Sequence, residues 1–231
     1  MTFPFPVMFP VLAGGTTSIW TDFSEYTPGV FMPDWASYPS LGGPPTSIVA
    51  VAPGGSISGQ ALKVTGTGSL SVGESCAFTW SDVPLVADCE ILLGVFVTQV
   101  VPAYRLIGGP IARFDLGTVR YVYAEAYGTT QDIYAIRAAD GGSPVFASVN
   151  DAVWGTNLWY WMRHRSIGGT HEFKMWLRGT TEPAGWTVSL SSAIPAAAGA
   201  TGFHAATGNL SEQYWDFFSV SIDGTPAWGP V

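Results

Sequence analysis

Short runs in which branched or aromatic residues alternate with polar ones recur along the chain, divided by Gly, Pro, Asn and Asp. A period of two buries one face of a strand, and the dividing residues supply turns. The pattern predicts twelve strands, at 61–67, 76–80, 89–98, 104–114, 119–127, 133–138, 145–149, 158–167, 171–178, 186–190, 202–206 and 213–222. No segment sustains a 3.6-residue apolar period, and the stretch 193–200 is short and broken by Pro195 and Gly199. Twelve short strands set off by turns point to an all-β sandwich or jelly roll without an internal repeat.

One hairpin can be read to the residue. Gly168-Gly169 divides two alternating runs and suits a two-residue turn. The register that follows pairs Ile167 with Thr170, Arg165 with Glu172, Arg163 with Lys174, Trp161 with Trp176 and Trp159 with Arg178 on the solvent side. His164 with Phe173, Met162 with Met175 and Tyr160 with Leu177 take the core side. The outward row of Trp159, Trp161, Trp176 and Arg178 is the candidate contact for a glycan or partner. Its tryptophans either stack on a sugar or are covered by loops or a neighbouring subunit, the commoner fate of a large aromatic ring.

The ends of the chain differ from its middle. No Lys or Arg precedes Lys63 or follows Arg178. Residues 1–18 read as an extended apolar arm, because Phe3, Phe5, Val7 and Phe9 alternate with Pro4, Pro6, Met8 and Pro10, which excludes a helix or a central strand. Phe3, Phe5, Val7 and Phe9 are the candidate assembly contacts, either on the arm's own domain or on a neighbouring subunit. Residues 19–231 form the remaining domain. The arm carries no base and its prolines interrupt any apolar core, so neither a secretory signal nor a membrane span is expected.

Composition narrows the function classes. The 231 residues include 9 Lys+Arg and 17 Asp+Glu, giving a formal charge of −8. That balance lacks the basic clusters that bind phosphates, so no nucleic-acid partner is expected. Apolar content of 47% outweighs the 28 Gly and 17 Pro that would otherwise suggest disorder. Cys76 and Cys89 flank a turn at 82–84 and would face each other if both arms formed one hairpin, but free buried thiols suit a chain with two cysteines better. His164, His171 and His204 lack metal-ligand spacing, and no metal or cofactor is assigned. There is no Gly-x-Ser-x-Gly elbow, no second His after His171-Glu172 and no phosphate-binding glycine loop, so no catalytic residue is assigned. Asn209-Leu210-Ser211 fits a glycosylation sequon, relevant only to a secreted eukaryotic protein.

The stretch from Lys174 and Trp176 through Gly179, Glu182 and Pro183 to Trp186 resembles the penultimate-strand signature of bacterial and phage laminin-G-like, concanavalin A-like domains. Around it, Thr21–Glu25 looks like the opening strand, Ala61–Val64 the second, and Asp88–Leu93 the strand that opens the central region. Residues 158–163 are similar to the strand before the signature, and Gly202–His204 with Trp215–Val220 to the closing pair. The similarity covers about residues 20 to 224. It implies an all-β, two-sheet antiparallel jelly-roll sandwich with first and last strands side by side and one concave face. Glucanases of this fold carry three acids along one strand; Asp88 and Glu90 match two, but Leu92 and Leu93 stand where the third belongs. The calcium ligands of lectin-like relatives have no counterpart cluster here.

These readings converge on a non-enzymatic structural protein of a phage virion, such as a capsid decoration, head-fibre or tail component. Its expected partners are other virion proteins and further copies of itself, joined through the arm. The alternative is a carbohydrate-binding, lectin-like module that grips a host-surface glycan. A glycan-cleaving enzyme using Asp88 and Glu90 is the remaining reading.

Overall fold

The computed structural model describes residues 18–41, 46–66, 74–98, 105–118, 120–128, 132–150, 154–192, 197–207, 212–222 and 224–230. The candidate contacts Phe3, Phe5, Val7 and Phe9 lie outside the described residues. In chain order the strands are β1 (Ser18–Thr21), β2 (Trp35–Leu41), β3 (Thr46–Val51), β4 (Gln60–Thr65), β5 (Glu74–Trp80), β6 (Cys89–Val97), β7 (Arg105–Asp115) and β8 (Arg120–Gly128). Then follow β9 (Asp132–Asp140), β10 (Val145–Val149), β11 (Leu158–Ile167), β12 (Thr170–Leu177), β13 (Val188–Ser191), β14 (Ala200–Thr207) and β15 (Glu212–Ser221). All twelve predicted strands form, and no helix occurs among the described residues.

Two antiparallel sheets pack face to face. The first runs β13-β12-β11-β6-β15-β4-β3, with β1 also on β15; the second runs β10-β9-β8-β7-β14-β5-β2. The first and last strands lie side by side, Ser18 opposite Ser221 and Thr21 opposite Phe218. Between the sheets, the inward residues of both form one core, in which Phe23, Phe78, Phe173, Phe203, Trp215 and Phe218 are wholly buried. Trp35 stacks on Trp80 at 5.6 Å and Phe203 on Trp215 at 4.6 Å, offset aromatic contacts that add to area burial.

Three strands escape the alternation pattern. β1 has four residues, β2 contains Pro39, and β3 presents an unbroken apolar run. The opening strand ends at Thr21, four residues before the end of the segment the resemblance suggested. Phe23 follows in a left-handed turn with φ 63°, its amide donating to Thr21 Oγ1 at 2.9 Å while its ring is buried in the core.

The predicted hairpin register is observed pair by pair, from Tyr160 opposite Leu177 to Ile167 opposite Thr170. Gly168, at φ 54°, makes the left-handed turn that such a two-residue loop requires. The cysteine hairpin does not form. Cys76 lies on β5 of the second sheet and Cys89 opens β6 of the first, so the turn between them crosses the sandwich. Both thiols are free and buried, and burial pushes them up to about 11 and about 12.

Candidate functional site: two outward faces

The outward face of the first sheet carries the predicted tryptophan row, and much of it is covered. Trp159 is 6% exposed, packs on Phe96 and donates its indole N–H to Gly54 O at 3.0 Å. The Arg178 guanidinium lies 4.5 Å from the Trp159 ring and 4.2 Å from the Trp161 ring. Its two terminal nitrogens bind both oxygens of the wholly buried Asp216 at 2.6 Å. Asp216 reaches this face because a bulge between Trp215 and Phe217 turns the strand. Gly94 makes room: a Cβ there would stand 2.1 Å from Arg178 Nη2 and 2.3 Å from Asp216 Oδ1.

Beside this pair a second network holds the roof. Glu90, wholly buried, accepts from Arg163, from Arg165 Nε at 2.8 Å and from the Ala227 amide at 3.1 Å. Glu182 bridges Arg163 and Lys174, and Lys174 also donates to Pro183 O at 2.7 Å. Trp228 packs on Trp20 and Phe217, while Leu92, Phe217 and Ala227 form a second small core touched by Trp161 and Trp176. The β3–β4 loop, the segment 179–187 and the tail 224–230 therefore lie over the row. Trp161 and Trp176 keep partial exposure, but Trp159 and Arg178 are engaged internally.

The acid pair read from the sequence is likewise structural. Asp88 accepts from the Gly168 amide at 2.8 Å and from Arg113 at 3.3 Å, while Glu90 lies under the tail. A glycosidase needs an acid and a second carboxylate about 5–9.5 Å apart across a cleft open to sugar. Glu90, fixed to two arginines and an amide beneath the tail, has no such access.

The second sheet presents a different outward face, which the sequence did not single out. Its register sets Tyr123 opposite both Ile111 and Arg137, and Arg137 opposite Phe146. Across the same face, Gly202 lies opposite Ile111 and Thr79. The floor is built of small or short residues sunk below their neighbours: Ala135 is 0% exposed, Ala206 1%, Ala139 2%, and Ala77 and Thr79 6%. Partly exposed aromatics rise around it. Tyr38 meets Phe114 at 5.2 Å, Tyr121 meets Tyr123 at 5.2 Å, and Tyr123 stacks on His204 at 5.3 Å.

One ion pair is set into this trough. Glu125, 5% exposed, accepts from Arg137 Nε at 2.6 Å, and the Arg137 guanidinium lies 5.7 Å from the exposed Phe146 ring. Burial raises the Glu125 pKa and Arg137 opposes that shift. Burial and then Arg137 push His204 down to about 4, so its ring is neutral at pH 7. The trough thus joins flat apolar surfaces to a compensated charge pair and a neutral imidazole. Among the described residues no group of three His, Cys, Asp or Glu side chains is placed to hold a metal ion. Glu125, bound to Arg137, does not supply the oxygen cage that calcium takes.

No family model and no curated protein matches the chain. Solved structures do. The metal-free exoplasmic/lumenal domain of VIP36 aligns with TM-score 0.55 and 13% identity over 93% of this chain and 96% of that one. The Ca2+/Man2-bound form of the same domain aligns with TM-score 0.53 and 14% identity over 89% of this chain and 87% of that one. The GH43 protein BlXynB from Bacillus licheniformis aligns with TM-score 0.54 and 11% identity over 88% of this chain but 39% of that one. The chain thus adopts a concanavalin A-like jelly roll, the fold shared with these VIP36 and GH43 structures.

Proposed function

We propose that the chain is a non-enzymatic, lectin-like carbohydrate-binding module whose ligand lies in the trough of the second sheet. The observation that carries the reading is the trough itself, with Tyr123, His204 and Phe146 arranged around a sunken floor and the Glu125–Arg137 pair. Sugar rings offer apolar C–H faces to aromatic rings and hydroxyls to polar groups, which this lining matches. The Man2-bound VIP36 structure among the fold neighbours supports the ligand class. Binding rather than cleavage follows from charge: the charged neighbour of Glu125 is Arg137, and no second carboxylate among the described residues stands beside it on the floor.

A glycan array on the full chain, followed by calorimetry with the best oligosaccharide, tests this. Tyr123→Ala should weaken binding about tenfold, equivalent to ~1.4 kcal/mol, whereas Trp176→Ala should leave it within about twofold. Absence of binding across the array, or dependence on Trp176 instead, would overturn the reading. Membership of a virion is a separate proposal. It rests on the composition and on the alternation of apolar residues and proline in the sequence of residues 1–18, and it is compatible with a glycan-binding face.

A further inference from the structure

We propose that β10 is a self-association edge, at which two copies pair β10 to β10 in antiparallel fashion about Ala147. Five strands pair on one side only among the described residues, and they are not alike; β1, paired with β15 alone, has four residues. β2 carries Pro39, which has no amide to donate, and its register breaks between Pro39 and Leu41. β3 is occupied at Val49, whose carbonyl accepts from Gly29 at 2.8 Å and whose amide donates to Val30 at 3.0 Å. β13 has four residues. β10 keeps a five-residue run, Val-Phe-Ala-Ser-Val, with no charge, proline or register break, as the six-residue β3 also does, but among the described residues no backbone bond like those at Val49 is made along it. It is open to solvent, with Val145 47% and Phe146 60% exposed. Bare edges of this kind are templates for a further strand, and proteins usually protect them.

A second copy fits the edge by chemistry and symmetry. Pairing about Ala147 sets Val145 opposite Val149 and Phe146 opposite Ser148, each twice over, so the contact is isologous and closes on itself. In a chain of net charge −8, this strand brings no like charges together. Arg137, the cation nearest Phe146 across the ladder, is already bound to Glu125. The two-fold axis stands perpendicular to the joined sheets, so both troughs open on the same side. If the glycan reading holds, the pair is a bivalent binder; the association itself does not depend on that reading. Five residues bury little area, so the dimer is weak and sensitive to dilution.

The test is light scattering on the full chain across a dilution series without glycan. The wild type should approach twice its 24.5 kDa at high concentration and fall to the monomer on dilution. Ser148→Lys, at an exposed position, should hold it monomeric, whereas Ser148→Thr should associate like the wild type. In parallel, the wild-type amides at 145–149 should exchange more slowly as concentration rises, a readout that needs no variant. A wild type that stays monomeric throughout overturns the proposal. So does a Lys variant that associates equally, which would move the contact elsewhere, including residues 1–18, and so does exchange at β10 that ignores concentration.

Discussion

The two outward faces obey the same alternation and end in opposite conditions. On the first sheet, outward positions are long and charged or indole-bearing, and their cations find buried carboxylates: Arg178 with Asp216, and Arg163 and Arg165 with Glu90. That chemistry holds down a roof made of the β3–β4 loop, the segment 179–187 and the tail at Ala227 and Trp228. On the second sheet, Ala77, Thr79, Ala135, Ala139, Gly202 and Ala206 take outward positions with aromatics at intervals, so the surface is a trough rather than a platform. Pointing away from a core is not the same as facing solvent, and the size of the side chains decides which face is filled.

The comparison breaks most sharply at Arg178. Replacing it with Ala strands the Asp216 carboxylate, which burial already pushes upward and which Arg178 counters. Loss of one member of a buried pair costs about 3–5 kcal/mol, and that loss should appear as a lower urea midpoint. Arg178→Met with Asp216→Leu removes both charges and should recover most of the stability. Glycan binding by whatever fraction remains folded should be unchanged, since the trough is on the other sheet. A single substitution that leaves the midpoint in place would show that the roof does not depend on this pair.

Much of the first face was legible in the sequence and its covering was not. Gly168-Gly169 and the alternation around it fix the register of β11 on β12, because the turn leaves one way to match the two patterns. Coverage depends on Gly54, 105 residues from Trp159, and on Ala227, 64 residues from Arg163, and no local pattern reports such approaches. The bulge at Asp216 likewise flips Phe217 outward within a run that reads as regular alternation. In the second sheet Tyr121, Tyr123 and Glu125 alternate visibly inside a predicted strand. Their meaning appears only when β9, β10 and β14 bring Arg137, Phe146 and His204 beside them.

Acid sharpens the contrast between core and trough. His164 and His171 are wholly buried between the sheets, with ring centroids 6.5 Å apart. His171 Nδ1 pairs with Ser166 Oγ at 3.0 Å, and among the described residues neither ring nitrogen of His164 has a hydrogen-bond partner. Arg113, also buried, faces them as a cation while bonded to Ala87 O, Gly168 O and Asp88; Cys89 is near it. Burial, then His171 and Arg113, pushes His164 down to about 3, and burial, then Arg113, pushes His171 down to about 4. Both are neutral when folded, and the unfolded chain takes up protons near pH 6.5. Their contribution is complete above that pH and declines as pH falls toward 4, by about 1 kcal/mol per unit for each histidine. The thermal midpoint should therefore drop across this window, and His164→Leu should flatten the slope. His204→Gln should flatten it too, by less, since that ring is pushed down only to about 4 where His164 is pushed to about 3. A midpoint that ignores pH between 6.5 and 4 in the wild type would rule out this account.

The smallest effect is the most informative about chemistry. Glu125→Gln keeps the shape of the side chain and an acceptor for Arg137 Nε, while removing a charge that burial disfavours and Arg137 compensates. For a binding trough the expected change in glycan affinity is about threefold or less, well under 1 kcal/mol. If Glu125 were the acid of a glycosidase, the same substitution would lower turnover by a factor of about 100 or more, the usual contribution of general acid catalysis. The discriminating measurement is product release from the best-bound oligosaccharide by wild type and variant side by side, with binding followed in the same samples. Equal binding with no cleavage by either chain keeps the trough a recognition surface, in which Glu125 serves to hold Arg137 against Phe146. Cleavage that disappears in the variant would reassign Glu125 from positioning to catalysis.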